Sequence, residues 1–307
     1  MKDTFFIVGP TAVGKTSLAI ELAKQFDAEI VNADAFQIYR GLDILTAKPN
    51  SIAQRQVRHH LLGQVSLAET MSAVRFGELA GSVLADIRSR GKNAIIAGGS
   101  GLYVKAITHG FGEVPPPDLK LREELSSLSI SELSRRLKEL NQDVAARTDL
   151  KNPRRVIRAI EIASVATANS GGSEGNAAAT AAITEGNGSM ISEPAGVLLL
   201  RDRNDLYQRI NERVNAMFQE GVEDEVRALH NIGPTAANAL GLKEIHALLG
   251  GQISRAECIV KIQQATRRYA RRQLTWFRHQ TTFPPLNLTP FSHREAVRAI
   301  TRVFQEE

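Results

Sequence analysis

A phosphate-binding loop stands near the start of the chain, where residues 9–16 fit the pattern G-x-x-x-x-G-K-[ST]. The glycines at 9 and 14 let the backbone curl so that its N–H groups point at phosphate oxygens. Lys15 brings a positive charge to the distal phosphate, and the Thr16 hydroxyl is placed to hold Mg²⁺. The pattern predicts a phosphorylated ligand, with Mg²⁺ as cofactor. The residues expected to bind it are Gly9, Pro10, Thr11, Ala12, Val13, Gly14, Lys15 and Thr16.

The residues around this loop alternate between strand and helix patterns. The apolar run Thr4–Val8 predicts a buried strand, and Ser17–Phe26 predicts an amphipathic helix whose N-terminus faces the phosphates. Further strands are expected at Ala28–Asp34, Asn93–Ala97 and Gly196–Leu200. This alternation predicts an α/β fold with a parallel sheet flanked by helices on both faces. Because parallel strands end at one edge, we expect the phosphate loop, Asp34 and Ser100 to converge there.

Asp34 is the candidate for acid–base chemistry because it ends the second expected strand, beside the phosphate loop. A carboxylate there can act as a general base or hold Mg²⁺ through water. It can equally cap the segment that follows. The third strand ends in Gly98 and Gly99 instead of the aspartate of an ordinary nucleotide-hydrolysing site, which argues weakly against a standard ATPase or GTPase.

The middle of the chain predicts an all-helical insertion domain. After prolines at 115–117, residues 118–166 are charged and helical in period. Residues 167–194 are a low-complexity run of Ala, Gly, Ser, Thr and Asn, which we expect to form a mobile loop. We therefore assign residues 1–114 and 195–307 to the catalytic core and residues 115–194 to the insert. Later helices are expected at Asn204–Gln219, Val222–His230, Ala237–Leu249 and Arg255–His279.

Positive charge is concentrated in two places. Residues 258–294 contain no Asp or Glu, and the helix expected there carries Arg267, Arg268, Arg271 and Arg272 in i,i+4 pairs. Its expected buried stripe comprises Ile262, Tyr269 and Trp276. A second basic group, Arg154, Arg155 and Arg158, begins the last helix of the insert. Because solvated helix faces usually mix signs, both groups favour a polyanionic partner such as RNA.

The composition bounds the class of protein. The 307 residues are 43% hydrophobic and 23% charged, with a formal net charge of +5 and one cysteine. These values are typical of a globular protein, and one cysteine excludes an internal disulfide framework and fits a reducing cytosol. No run approaches the roughly twenty apolar residues of a membrane span, and no signal-peptide pattern precedes the phosphate loop. We expect a cytoplasmic monomer with no membrane partner.

Five ordered motifs resemble those of the tRNA dimethylallyltransferases, also called tRNA isopentenyltransferases. They are residues 9–16 (GPTAVGKT), 34–49 (DAFQIYRGLDILTAKP), 98–103 (GGSGLY), 152–159 (NPRRVIRA) and 266–278 (TRRYARRQLTWFR). The resemblance extends from about Phe5 to about Arg278, except for the low-complexity stretch. It implies a P-loop kinase-like core that carries a helical insert.

The resemblance also implies an activity. A dimethylallyl group moves from dimethylallyl diphosphate to the exocyclic amine of the adenine 3′ of the anticodon, in the anticodon stem-loop of tRNA. The adenine must then leave its stack to reach the base. The phosphate loop holds the diphosphate leaving group, with Mg²⁺, instead of ATP.

Site residues follow from the same resemblance, motif by motif. The family's general base falls on Asp34, its phosphate-side hydroxyl on Ser100 and its active-site arginine on Arg213, beside Lys15 and Thr16 of the loop. Its tRNA-contacting positions fall on Asp34, Ala35, Phe36, Gln37, Ser100, Arg122, Arg154, Arg155, Val156, Ile157 and Arg158. The chain departs from the family pattern at Ala35 (usually Ser), Leu45 (usually Gly) and Leu242 (usually Tyr).

Three other functions share some of these features. A P-loop kinase of a small molecule shares the loop and the strand-end aspartate, but it does not explain the basic helices. An isopentenyltransferase acting on free adenine nucleotide needs no long basic surface. A non-catalytic RNA-binding protein with a vestigial loop is disfavoured because Lys15, Thr16, Asp34 and Arg213 are intact.

Overall fold

The computed structural model describes residues 3–111, 115, 117–169, 191 and 194–306. The chain divides into two compact units, one of residues 1–108 with 191–307 and the other of residues 109–190. Within the described residues, no helix has both the length and the apolar character needed to span a membrane. Most of the low-complexity run, for which a mobile loop is expected, lies outside the described residues.

The first unit is built on a six-stranded sheet in the order β3-β2-β4-β1-β5-β6, in which every pair of neighbours is parallel. Its strands are β1 (Thr4–Val8), β2 (Ala28–Asn32), β3 (His59–His60), β4 (Asn93–Gly98), β5 (Ala195–Leu200) and β6 (Pro285–Asn287). Every residue of β1 and β2 is buried, as strands covered on both faces require. The predicted parallel sheet of a P-loop-type α/β fold is therefore confirmed.

The described residues of the two units also form helices. In chain order they are α1 (Lys15–Gln25), α2 (Ser51–Gln56), α3 (Ala73–Ser89), α4 (Gly101–Thr108), α5 (Leu119–Ser126), α6 (Ile130–Leu140), α7 (Gln142–Arg147), α8 (Pro153–Asn169), α9 (Arg203–Gln219), α10 (Val222–Arg227), α11 (Leu242–Leu249), α12 (Arg255–Gln280) and α13 (His293–Glu306). Helices α1 and α13 pack on the sheet, where Phe304 stacks on Phe26 with ring centroids 4.2 Å apart.

The C-terminal part differs from the sequence-based expectation in three ways. A short 3₁₀ turn and α11 replace one continuous helix at 237–249, because Gly241 adopts a left-handed backbone with φ of 94° at the start of α11. The helix expected to reach His230 ends at Arg227. The segment Pro285–Asn287, for which the sequence predicts no strand, adds an edge strand to the sheet.

The buried stripe of α12 also differs from the prediction. Its buried residues are Cys258, Ile262, Thr266, Ala270, Gln273 and Phe277. Tyr269 and Trp276 are half-buried at the edge of this stripe. A strict seven-residue spacing drifts by roughly 20° per repeat around a straight helix, which moves both aromatic residues off the buried line.

The second unit contains α5 to α8, and its described residues form no strand. Each of α5 and α6 begins at a side-chain cap, Asp118 and Ser129, and the Ser129 cap is part of a capping box with Glu132. The small core of this unit comprises Leu125, Leu133, Leu137, Val144, Val156 and Ile160, among others. Helix α8 continues to Asn169, three residues beyond the helical pattern of residues 118–166.

Candidate active site

The phosphate loop has the backbone that its glycines predict. Gly9, Ala12 and Gly14 have positive φ angles of 150°, 64° and 108°, and Gly14 precedes the first residue of α1. A Cβ atom at Gly9 would lie 2.6 Å from the carbonyl oxygen of Leu199, so no other residue fits there without a shift. Glycine is therefore required at position 9 for two reasons: the turn of the loop, and the close approach of its backbone to β5.

Lys15 folds back over this loop. Its Nζ donates hydrogen bonds to the carbonyl oxygens of Gly9, at 3.0 Å, and Pro10, at 2.8 Å. The pKa of this ammonium is lowered to about 8, mainly by burial; Asp34 opposes the shift, and Arg213 contributes to it. The loop thus carries a poorly solvated positive charge, which a phosphate oxygen would stabilise.

Two arginines that the sequence-based prediction missed hold the outer side of the loop. Arg201 follows β5, and its Nε donates to the carbonyl oxygen of Val13 at 2.9 Å. Arg209, on α9, donates from Nε to the carbonyl oxygen of Ala12 at 3.0 Å. The spacing of Arg209 and Arg213, four residues apart on one helix, is the signal that could have linked Arg209 to the site.

Arg213 reaches the site from the same face of α9. Its Nη1 donates to Thr11 Oγ1 at 2.7 Å, and its Nη2 donates to the carbonyl oxygen of Thr46 at 2.8 Å. Burial lowers the pKa of this guanidinium. Within the described residues, its buried Nε has no hydrogen-bond partner.

Asp34 lies two residues beyond the end of β2, in a tight turn. Its Oδ1 accepts hydrogen bonds from the backbone N–H groups of Phe36, at 3.0 Å, and Gln37, at 3.4 Å. The capping role expected as an alternative is therefore present, and it uses one of the two carboxylate oxygens. Since capping takes only Oδ1, it does not exclude a second role for this carboxylate.

Ser100 fastens that turn to the end of β4. Its Oγ accepts from the backbone N–H of Ala35 at 2.8 Å, and its own N–H donates to the carbonyl oxygen of Ala33 at 3.1 Å. The phosphate loop, Asp34 and Ser100 thus lie at one edge of the sheet, as the alternation of strands and helices predicts.

The two glycines at the end of β4, Gly98 and Gly99, are required for steric reasons. A Cβ atom at Gly98 would lie 2.2 Å from the carbonyl oxygen of Ala33, and one at Gly99 would lie 2.3 Å from Gln273 Nε2. The aspartate of an ordinary nucleotide-hydrolysing site therefore has no room at either position. The backbone after β2 occupies the space at Gly98, and the Gln273 side chain of α12 occupies it at Gly99.

A cavity of about 430 Å³ joins these groups. The phosphate loop, Asp34, Gln37 and Arg213 form its polar side, and its apolar wall includes Ile20, Ile30, Pro49 and Leu62. A smaller cavity of about 40 Å³ shares Thr11, Asp34 and Arg213 with it and is further lined by Phe36, Leu45 and Tyr269. The three shared residues therefore stand between two spaces, one bordered by the phosphate loop and one by an aromatic and aliphatic surface.

The oxygen-bearing side chains near the N-terminus of α1 are suitable ligands for Mg²⁺. The exposed Thr16 and the carboxylate of Asp34 line the same cavity, and Mg²⁺ usually takes one or two protein oxygens together with phosphates and water. The described residues contain no group of three or more His, Cys, Asp or Glu side chains that could hold a metal ion without a ligand. A magnesium ion here would depend on the phosphates of its substrate.

The basic residues expected to contact RNA fall into different environments. In the second unit, the buried Glu161 accepts from Arg122 Nε at 2.7 Å and Arg158 Nη1 at 3.0 Å. Arg154 and Arg155 are exposed, and Arg155 pairs with Asp149 at 3.2 Å. Ile157 is half-buried, and the side chain of Val156 lies in the core of this unit. Surface charge at the start of α8 thus comes from Arg154 and Arg155 above all.

The arginines of α12 divide into two pairs. Arg267 donates to Asn211 Oδ1 at 2.7 Å, and Arg271 approaches the Tyr207 hydroxyl at 3.4 Å, so this pair faces α9. Arg268 and Arg272 are exposed and make neither contact. The tertiary structure thus separates two pairs that are equivalent in the sequence.

Comparison with known proteins identifies the family. The IPP transferase family matches residues 37–280. The chain is 37% identical over 306 residues to the tRNA dimethylallyltransferase of Akkermansia muciniphila, covering 99% of each sequence. It is 40% identical over 285 residues to the enzyme of the same name from Streptococcus pneumoniae, covering 90% of each.

Solved structures agree with this assignment. The full-length tRNA isopentenylpyrophosphate transferase of Bacillus halodurans is 33% identical, with a TM-score of 0.71 over 99% of this chain and 95% of that one. A eukaryotic dimethylallyltransferase acting on tRNA has a TM-score of 0.79 over 99% of this chain and 80% of that one, at 22% identity, and supports the fold alone. Because identity near 40% extends over at least 90% of both sequences, the chain belongs to the tRNA dimethylallyltransferase family of prenyl-transferring enzymes.

Proposed function

We propose that this enzyme transfers a dimethylallyl group from dimethylallyl diphosphate to the exocyclic amine of the adenine 3′ of the anticodon in tRNA. The observation that carries the proposal is the position of Thr11, Asp34 and Arg213, which line both cavities. The larger space borders the phosphate loop and suits the diphosphate. The smaller one is lined by Phe36 and Tyr269 and suits the edge of a base.

The reaction forms a bond between the adenine amine nitrogen and C1 of the prenyl group, and it breaks the bond from C1 to the diphosphate oxygen. An exocyclic amine is a weak nucleophile, and Asp34 accepts its proton as the new bond forms. Asp34 Oδ1 remains bonded to the backbone of its own turn, which holds the carboxylate in place. The diphosphate leaves with the bonding electron pair.

Stabilisation of that leaving group falls to the loop and its neighbours. Lys15 and Arg213 are both desolvated cations next to the cavity, and charges act more strongly where water is excluded. Bound Mg²⁺, held through Thr16, would neutralise further charge on the diphosphate. Ser100 serves by holding the turn that bears Asp34, as its bond to Ala35 suggests.

We propose two surfaces for tRNA. One is the exposed pair Arg268 and Arg272 on α12, and the other comprises Arg154 and Arg155 at the start of α8. Arg122 and Arg158 belong to the second surface as well, with Glu161 setting the orientation of their guanidinium groups. Guanidinium groups at a protein surface are suited to RNA phosphates, because they can form two parallel hydrogen bonds to phosphate oxygens.

The proposal is tested by incubating the protein with Mg²⁺, dimethylallyl diphosphate and unmodified tRNA, and measuring the mass of the RNA. The expected result is one added dimethylallyl group, located at the adenine 3′ of the anticodon. Addition of excess free AMP tests the main alternative. If AMP is prenylated in preference to tRNA, the free-nucleotide function is correct and the tRNA proposal is wrong.

A further inference from the structure

Gln273 is a buried polar residue on α12 whose side chain bridges two segments of the site. It is 5% exposed. Its Oε1 accepts from the backbone N–H of Thr11 at 2.9 Å, and its Nε2 donates to the carbonyl oxygen of Gly99 at 2.8 Å. Both ends of the amide are therefore used, which fixes its orientation. A buried amide bonded at both ends is costly to replace by any group that leaves its partners unpaired.

On one side the bridge holds the phosphate loop. Thr11 lines both cavities, and its hydroxyl accepts from Arg213 at 2.7 Å. Its backbone is held by Gln273 and its side chain by Arg213, from two different helices. The N–H of Thr11 therefore points at Gln273, so it differs from the inward-pointing N–H groups expected for this loop.

On the other side the bridge holds the end of β4. Gly99 precedes Ser100, whose Oγ accepts from the backbone N–H of Ala35, the residue after Asp34. The Gln273 amide packs directly on Gly99, because a Cβ atom at this residue would lie 2.3 Å from Nε2. Two hydrogen bonds and one peptide unit thus connect Gln273 to the turn that bears Asp34.

We propose that Gln273 is a positioning residue that fixes the phosphate loop relative to the turn carrying Asp34. The inference rests on the proposed function, in which the loop holds the leaving diphosphate and Asp34 takes the proton of the amine. Both groups must meet the reacting atoms together, and a misplacement of about 1 Å can cost about 10²-fold in rate. Gln273 touches neither substrate in this role.

The first variant is Gln273→Leu, which keeps the approximate volume and removes both hydrogen bonds. We expect kcat for tRNA prenylation to fall by about 10- to 100-fold, with an unchanged Kd for tRNA. The Kd for inorganic pyrophosphate in the presence of Mg²⁺ should rise by about tenfold, roughly the effect of one lost hydrogen bond. Gln264→Leu is the matched control, because Gln264 is exposed on the same helix and should leave all three values unchanged.

A second variant, Gln273→Glu, keeps the shape of the side chain and adds a pH readout. When protonated, its carboxyl group can accept from Thr11 and donate to Gly99, as the amide does. When ionised, it cannot donate and it repels the Gly99 carbonyl oxygen. The ratio of its kcat to that of the wild type should therefore rise as the pH is lowered from 9 to 6, compared over the pH range in which circular dichroism shows both proteins to be folded.

The outcomes separate the two proposals. If the wild type prenylates neither tRNA nor AMP, the proposed function fails, and the pyrophosphate measurement still tests the bridge. If Gln273→Leu keeps kcat and the pyrophosphate Kd within about threefold of the wild type, against the expected loss, the positioning role is wrong. If Gln273→Leu does not fold, Gln273→Glu decides, and a kcat equal to that of the wild type at every pH overturns the proposal.

Discussion

The lowered pKa of Lys15 makes the affinity for the diphosphate depend on pH in a range where an ordinary lysine would not. Burial is the main cause of the shift, and it brings the pKa to about 8 from 10.5. With this value, about nine-tenths of the ammonium is protonated at pH 7 and about one-tenth at pH 9. A diphosphate binds the protonated form better, so its affinity should fall by about tenfold over this range, or about 1.4 kcal/mol. The sign follows from the direction of the shift, because the charged form is lost as the pH rises through 8.

The assay is calorimetric titration with inorganic pyrophosphate and Mg²⁺ at fixed ionic strength between pH 7 and 9. Pyrophosphate has its own ionisation, so the quantity of interest is the ratio of the affinities of the wild type and Lys15→Met. We expect this ratio to fall by about tenfold between pH 7 and 9. Lys24→Met, an exposed lysine of the same helix, should leave the wild-type pH profile unchanged. If the ratio of the two pyrophosphate affinities stays constant between pH 7 and 9, loss of the Lys15 proton does not weaken diphosphate binding. The reasoning from the burial of Lys15 would then be refuted.

Two further predictions concern catalysis and RNA binding. Asp34→Asn keeps the Oδ1 that accepts from its own turn but removes the basic carboxylate. Single-turnover prenylation should therefore slow by about 10²- to 10⁴-fold, with little change in the Kd for tRNA. A rate within about threefold of the wild type would show that Asp34 is not the base. Paired replacement of Arg268 and Arg272 by Gln should weaken tRNA binding and reduce the slope of log affinity against log salt by about 0.7–0.9 for each lost phosphate contact. The same replacement of Arg267 and Arg271 should instead lower the melting temperature and leave the slope near that of the wild type, because these arginines bond to α9. Equal salt slopes for both double variants would contradict this division of the helix.

The sequence by itself determined the central strands, the phosphate loop and the edge at which the site forms. A buried apolar run followed by a Gly-rich turn and a helix is a local pattern, so Thr4–Val8 and the loop after it could be located without tertiary information. The convergence of Asp34 and Ser100 needed one additional rule, that parallel strands end at the same edge. Both residues lie where that rule puts them.

Only the tertiary structure decided which side chains brace the site. Arg201, Arg209 and Gln273 each contact a residue of the phosphate loop, and the sequence separations of these pairs are 188, 197 and 262. No local pattern encodes contacts between residues so far apart. The edge strand Pro285–Asn287 exists because β5 offers it a partner, since its own residues carry no strand signal. The division of the α12 arginines has the same origin, because α9 packs against one side of the helix and provides hydrogen-bond partners for Arg267 and Arg271.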